Sequence, residues 1–494
     1  MRISDNFTTF VSMSEQVTDM LTAFESLSNE ISSMRKQIDD MHSTICNQSR
    51  TIQAQNKTIA NLRKKLSKYE DPSKNSENSS TPPSKESIKD EIIRRTNTIR
   101  KKSGKPVGGQ SGHKGTKLNM TEIVDEEQEI DPNYCTQCGE SLEESERILD
   151  YTAQIISIPE LKAVVRNVNH YIRICRHCGA RVQSHEKRRR GGNDVVYDNT
   201  VKSLVVYLSV VGFLTFGRID KFFREVFGMK ISQGSMVNWI EEAKSKAQPV
   251  INEIMERIKD CTIVGFDESG LYCNKKLNWA WIAQTLYFTI LFRADGRGGK
   301  ELESRFGDSL KRMIAVTDRH SAYFALNFLN HQVCIAHLLR NLQYLDELDK
   351  EQTWSVELGK MLKDSIHQRN EHPSQSIDKQ PWLDKLDKLL KQNIEKLKDE
   401  YRIMRDGLIK CRNYMFNFLE NPHIPSDNNA SERGIRKLKI KMKNACTFRS
   451  EWGADAFLEL HSIVETAKKH TQTSYKAIRS LFGLTDSHDM QLAE

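Results

Sequence analysis

A chain of 494 residues is too long for a single hydrophobic core, so three or more domains are expected. The formal charge of +8 and the pI near 8.8 are modest, but the basic residues come in runs, and local runs make the field that attracts polyanions. No apolar run reaches the length of a membrane span and the N-terminus, with Asp5 among polar residues, does not read as a secretory signal, so a cytoplasmic location with no membrane partner is expected.

Residues 10 to 69 carry a heptad repeat. Phe10, Val17, Phe24, Ile31, Ile38, Ile45, Ile52, Ile59 and Leu66 fall seven apart, and Met13, Met20, Leu27, Met34, Met41, Gln48, Gln55, Leu62 and Tyr69 fill the companion seam. This spacing predicts a coiled coil over 1–70, and β-branched residues at the first seam position favour a two-stranded, parallel homodimer. At roughly 90 Å for sixty residues the helix is too long to pack on one small domain. Asp71-Pro72 ends it. Residues 71–117 then read as a basic linker, poor in anything to bury, in which Arg94 to Lys117 holds Lys and Arg but no acid. Glycines through Gly104–Gly115 prevent regular structure, so Arg100, Lys101, Lys102, Lys105 and Lys114 are candidates for following a phosphate backbone.

Cys135-x-x-Cys138 and Cys175-x-x-Cys178, each followed by glycine, have the form of two zinc knuckles, and the remaining cysteines are scattered, which argues for metal over a disulfide framework. One structural Zn²⁺ held by all four is expected within a module over 118–190; His177 is an alternative ligand. Tyr151–Ile158 and Val164–Ile174 read as strands of a hairpin that would bring the knuckles together. The cluster ending in Arg188, Arg189 and Arg190 borders the second knuckle and suggests a DNA-facing module. Residues 191–260 read as helical, with Gly228 between two helical patterns as in a helix-turn-helix.

At Cys261 the pattern changes. Thr262–Asp267 is a short apolar strand delivering an aspartate, Trp279–Ala283 and Leu286–Phe292 complete a meander, and Met313–Asp318 is a second buried strand ending on aspartate. Side by side at about 4.8 Å, two such strands let their carboxylates share cations. Residues 261–344 are taken as the first part of this core and 345–422, of mixed charge and helical period, as a helical insertion. Gln332–Ala336 is a further strand candidate, followed by the Cys334-x-x-His337 pair.

The second part of the core, 423–470, opens on Pro425-Ser426-Asp427-Asn428-Asn429-Ala430-Ser431-Glu432-Arg433, with a tail over 471–494. Ser426 or Asp427 is expected to cap the helix that follows, and Glu432 falls in its first turns. Arg433, Arg436, Lys437, Lys439, Lys441, Lys443 and Arg449 follow with no acid before Glu451, a pattern suited to a metal beside a phosphate backbone.

Taken together these residues resemble the DDE transposases of bacterial insertion sequences, specifically the TnpC-type proteins of the insertion-sequence-sixty-six family. The resemblance rests on the coiled coil, Arg100–Gly104 with Gly108–Gly115, the double knuckle, Asp427-Asn428-Asn429 before Ala430–Arg433, and Lys443-Asn444 through Phe448 to Ser462–Lys468. It implies an α/β RNase H-like core with a mixed five-stranded sheet, in which Asp267, Asp318 and Glu432 match the aspartate, aspartate and glutamate that bind two Mg²⁺ (or Mn²⁺). It implies that Cys334 and His337 support that site, and that Arg433, Arg436, Lys437 and Lys443 meet DNA. The sequence departs from the family where Glu268-Ser269 stands for the common Glu-Thr and Lys437 for a frequent proline; neither is a matched ligand. The implied activity is binding of element ends in double-stranded DNA, strand cleavage and strand transfer, in a nucleoid-associated homodimer or higher oligomer working with element-encoded accessory proteins. A silent DNA-bridging protein and a structure-specific nuclease are the alternatives; only the carboxylate set argues against the first.

Overall fold

The structure, a computed structural model, describes residues 4–72, 74–75, 78–79, 112, 119–183 and 195–484. Arg100, Lys101, Lys102, Lys105, Lys114, Arg188, Arg189 and Arg190 lie outside the described residues. Two compact units divide after Lys74. The first consists of one helix, α1 (Ser4–Glu70), of 67 residues. Its seam residues Phe24, Ile31, Ile38, Ile45 and Ile52 are exposed, because a lone helix has nothing against which to bury a stripe.

In the second unit each Cys-x-x-Cys pair forms a tight turn. Gly139 and Gly179 adopt the left-handed region (φ +80° and +71°), and their amides donate to the carbonyls of Cys135 and Cys175 at 2.9 Å. The expected hairpin over Tyr151–Ile158 and Val164–Ile174 does not form. Strand structure is confined to β1 (Ile172–Ile174) and β2 (Arg181–Gln183), an antiparallel pair flanking the second turn. The alternation that suggested longer strands is present, but Ile155 and Val165 are 88% and 90% exposed. With so little apolar surface buried, nothing holds longer strands together here.

The helices α2 (Asn199–Val210), α3 (Phe216–Phe227) and α4 (Gln233–Lys259) follow, as the sequence predicts for this stretch. Gly228, left-handed at φ +66°, ends α3, and Ser232 caps α4 by accepting the Ser235 amide. Val205, Ile219, Phe223, Met236 and Trp239 make a small core between them.

A five-stranded mixed sheet is the centre of the unit. β3 (Ile263–Cys273), β4 (Lys276–Gln284) and β5 (Thr289–Ala294) form the antiparallel meander, and β6 (Ile314–Thr317) and β7 (Asn330–Val333) add in parallel, giving the order β5-β4-β3-β6-β7. α5 (Lys300–Phe306) and a 3₁₀ turn (Gly307–Arg312) lead from β5 to β6, and α6 (Ser321–Phe324) lies between β6 and β7. From β7 the chain enters α7 (Ile335–Leu348), α8 (Trp354–Glu371), α9 (Gln380–Leu390), α10 (Asp399–Cys411) and α11 (Asn417–Glu420). Their apolar faces share one core with Ile314, Val316 and Val333, so these helices are continuous with the sheet's β6–β7 side.

The chain returns through α12 (Asn429–Ala445), α13 (Glu451–Lys469) and α14 (Ser474–Leu481). Period-two alternation divides the sheet. Val264, Phe266, Trp281 and Phe292 join the core built with α4 and α13, whereas Leu271, Ile282 and Leu291 pack with Ile435 and Leu438 of α12. α13 also closes the β5 edge: Ser462 Oγ and Thr466 Oγ1 accept the amides of Leu291 (2.8 Å) and Thr289 (3.1 Å), so the edge offers these donors to no other strand.

Candidate active site

Asp267 is not at a strand end as expected but inside the eleven-residue β3. The reason is register. β6 pairs with β3 only through Ile263↔Ile314, Val264↔Ala315 and Gly265↔Val316, while β4 continues on the other side to Cys273. Asp318 directly follows β6, so the same register brings it level with Asp267 where the parallel ladder stops. Asp267 stands on the face that α12 covers, since it alternates with Gly265 and Leu271, while Asp318 follows Val316, which packs with the helices after β7.

The glutamate comes from above that face. The helix N-cap is Asn428, not Ser426 or Asp427, and its side chain does not cap. Instead Asn428 Nδ2 donates to the Phe266 carbonyl at 2.6 Å, its Oδ1 accepts the Ser431 hydroxyl at 2.6 Å, and its amide reaches Cys334 Sγ at 3.2 Å. One buried amide thus ties the start of α12 to the residue before Asp267 and to the start of α7. The approach needs a residue without a side chain beneath it: a Cβ on Gly265 would lie 2.7 Å from Ser431 Oγ and 2.9 Å from Asn428 Oδ1.

Glu432 then projects from the first turn of α12. Its Oε1 is 3.0 Å from Arg340 Nη2 and 3.3 Å from His337 Nε2, and its Oε2 is 3.2 Å from Arg436 Nη2. Burial pushes the Asp267 carboxyl well above the usual aspartate range, and the charges of Glu268, Asp318 and Glu432 add to it. Burial and then Glu268 raise Asp318 as well. Burial lowers His337, reinforced by Arg340. A carboxylate whose proton affinity three neighbouring carboxylates raise sits where positive charge is short, which fits hard divalent cations.

Glu268 entered the sequence reading only beside Ser269 as a comparison with the family, with no role assigned. It faces away from Asp267, its side chain is 1% exposed, and it accepts from Arg297 Nε at 2.7 Å and from the Tyr323 hydroxyl. Arg297 also lies over the Trp279 ring, 5.0 Å from its centroid. A charged residue at an inward position of a strand was the available signal, because such a residue needs a buried partner. Behind Asp318, the Thr317 hydroxyl donates to the Asp318 carbonyl at 2.7 Å and lies 2.6 Å from His331 Nε2. Burial lowers the pKa of that histidine to about 4, so it is neutral.

The fifth strand is Asn330–Val333, not Gln332–Ala336 as expected, because Cys334 is the N-cap of α7 and His337 lies in its first turn. Of the basic residues assigned to DNA, Arg433, Arg436 and Lys443 are exposed on α12. Lys437 is not presented in that way: its Nζ pairs with Glu465 of α13 at 2.5 Å, since it falls on the buried side of the helix. Lys439 donates to the Gly270 carbonyl at 2.6 Å, and Lys441 turns inward to the Ser209 and Leu214 carbonyls at 2.9 and 3.0 Å. Three residues of the cationic run, Lys437, Lys439 and Lys441, therefore fasten α12 to the fold. In the knuckles, backbone amides of Cys138 and Gln137 lower the Cys135 thiol, and those of Cys178 and His177 lower the Cys175 thiol. The two turns are not brought to one point; among the described residues, the group of three ligand-type side chains that does meet is Cys334, His337 and Glu432.

A five-stranded mixed sheet flanked by helices is compatible with a transposase domain. The family model described as Transposase IS66 family matches residues 194–456, and the chain belongs to that family. Comparison with curated proteins finds no match. Membership makes DNA the macromolecule acted on and divalent metal the cofactor class. Among the described residues no helix is long and apolar enough to cross a membrane.

Proposed function

We propose that this transposase is a DDE enzyme with an RNase H-like core, in which Asp267, Asp318 and Glu432 hold two Mg²⁺ or Mn²⁺ ions and carry out strand cleavage at the element ends followed by strand transfer. The observation that carries the reading is that three distant segments, β3, the end of β6 and the first turn of α12, contribute carboxylates, and the charges of Asp318 and Glu432 both reach Asp267. The sheet order, a meander followed by two parallel strands, supports the core assignment. The chemistry supplied by divalent cations at such a site is stabilisation of charge on the phosphate and a lowered pKa for the attacking hydroxyl or water.

The chain's own residues do the positioning. Asp267 and Asp318 are fixed by the sheet, and Asn428 sets the height of Glu432 above them. His337 Nε2 stands 3.3 Å from Glu432 Oε1 and flanks that carboxylate. Arg340 and Arg436 neutralise Glu432, and Arg433, Lys443 and Arg449, all exposed, offer charges to the backbone of bound DNA. We further assign the two knuckles to one structural zinc, each turn supplying two thiolates, of which Cys135 and Cys175 are lowered by the amides of their own turns, and α1 to a parallel homodimer that pairs two DNA ends.

The test separates chemistry from binding. Asp267→Asn, Asp318→Asn and Glu432→Gln preserve shape and remove charge, so each should abolish cleavage and joining of DNA carrying the element ends while binding is kept or tightened as repulsion falls. A variant that cleaves at the normal rate removes its residue from the ligand set. If the unmutated protein binds the ends but cuts in neither Mg²⁺ nor Mn²⁺, the silent bridging protein is the better description.

A further inference from the structure

We propose that Cys334, His337 and Glu432 form a second, softer cation site, selective for zinc or a zinc-like transition ion, that shares Glu432 with the carboxylate centre. Their ligand atoms all lie within 4.8 Å of one another. The 3.3 Å between His337 Nε2 and Glu432 Oε1 already matches the edge of a tetrahedron, since metal bonds of about 2.0–2.3 Å place two ligands roughly 3.5 Å apart. Cys334 and His337 stand three residues apart at the start of α7 and so share a face of the helix. The sulfur is fully buried and accepts the Asn428 amide at 3.2 Å. His337 turns its Nε2 toward Glu432, and its Nδ1 is enclosed without a partner among the described residues.

The donor types decide the ion. Thiolate and imidazole suit zinc, whereas magnesium takes oxygen ligands and holds its waters. On binding, the thiol proton leaves to solvent, the ring proton sits on Nδ1, and Nε2 presents its lone pair. Three protein ligands leave a fourth position open, the form of an exchangeable site instead of a closed structural one. Arg340, 3.0 Å from Glu432, must be displaced, which weakens the site further relative to the knuckles. An ion held here takes Glu432 away from Asp267 and Asp318, so zinc should oppose magnesium-dependent catalysis. The binding is independent of the proposed function; the antagonism rests on it.

The full-length protein, its knuckles zinc-filled, is titrated with Co²⁺ and followed by the near-ultraviolet thiolate-to-cobalt charge-transfer band, which carboxylate and imidazole ligands do not give. The unmutated protein and Asp267→Asn should each take up one equivalent with this band. Cys334→Ser should lose the band, and His337→Asn should weaken the site by at least about tenfold. Metal analysis after zinc exposure should find one zinc fewer per chain in Cys334→Ser. Equal bands and equal zinc in the unmutated and Cys334→Ser proteins would overturn the site, as would unchanged affinity in His337→Asn, which decides the matter if Cys334→Ser fails to fold. Added zinc should inhibit cleavage in Mg²⁺. If zinc binds as described and Asp267→Asn still cleaves, the carboxylate reading fails and the zinc site stands; if no zinc binds and Asp267→Asn is dead, the reverse holds.

Discussion

Asp267 keeps its proton to higher pH than a free aspartate because β3 buries it and Glu268, Asp318 and Glu432 surround it with negative charge. Its folded-state pKa is therefore above the unfolded value of about 3.9. Such a group contributes stability that is full below the unfolded pKa and is lost as pH rises through the folded one. In chelator, Asp267→Asn should melt at a higher temperature than the unmutated protein at neutral pH, and the gap should close as pH falls toward about 4. Mg²⁺ or Mn²⁺ should raise the melting temperature of the unmutated protein and leave Asp267→Asn nearly unmoved. A melting-temperature gap that is absent, or that widens in acid, would show that the carboxylates do not repel one another in the folded state. At this scale the ligand candidates were legible because aspartates after apolar strands and a glutamate opening a basic helix are visible as pattern. Asn428, Arg340 and Glu268 were not, because their roles are hydrogen bonds and ion pairs to residues remote in sequence.

Among the elements, α12 shows how position on a helix divides one charge run into two uses. Arg433 and Arg436 face solvent, while Lys437, Lys439 and Lys441 reach Glu465, Gly270 and Ser209. Its closeness to β3 depends on Gly265. Gly265→Ala must push back Ser431 or Asn428 and should lower cleavage at least about tenfold, because misplacing a reacting group by a fraction of an ångström is costly, while DNA binding in a mobility-shift assay stays within twofold of normal, about 0.4 kcal/mol. Normal cleavage would mean that the height of Glu432 is not set there. The knuckle module is the element that the sequence overstated. Its turns form from local chemistry, with Gly139 and Gly179 left-handed, but the strands between them lack a core. Zinc should supply what burial does not, so Cys175→Ser should lose one zinc per chain and expose the module to proteolysis; a purified protein with no zinc at all would remove this assignment.

For the whole molecule, the 67-residue α1 leaves its isoleucine seam exposed. A second copy of the same stripe is the simplest cover, and the full-length chain is expected to sediment as a dimer. Ile38→Asp with Ile45→Asp places charge in that seam and should give monomers that still bind a single DNA end but no longer bridge two. A dimer that survives both substitutions would locate the interface elsewhere.

The sequence by itself determined what is local or periodic. The long amphipathic helix, the two cysteine turns, the helical stretch around Gly228 and the aspartate-bearing apolar strands follow from spacing and turn chemistry within a few residues of one another. Tertiary structure decided everything that needed distant segments to meet: that β6 pairs with only the first part of β3, leaving Asp267 inside a strand yet open on one side; that Asn428 fastens α12 to Phe266 instead of capping it; that Lys437 turns to Glu465; and that Cys334 and His337 converge on Glu432. Register, burial and partner choice depend on which surfaces the folded chain presses together, and no local pattern carries that information.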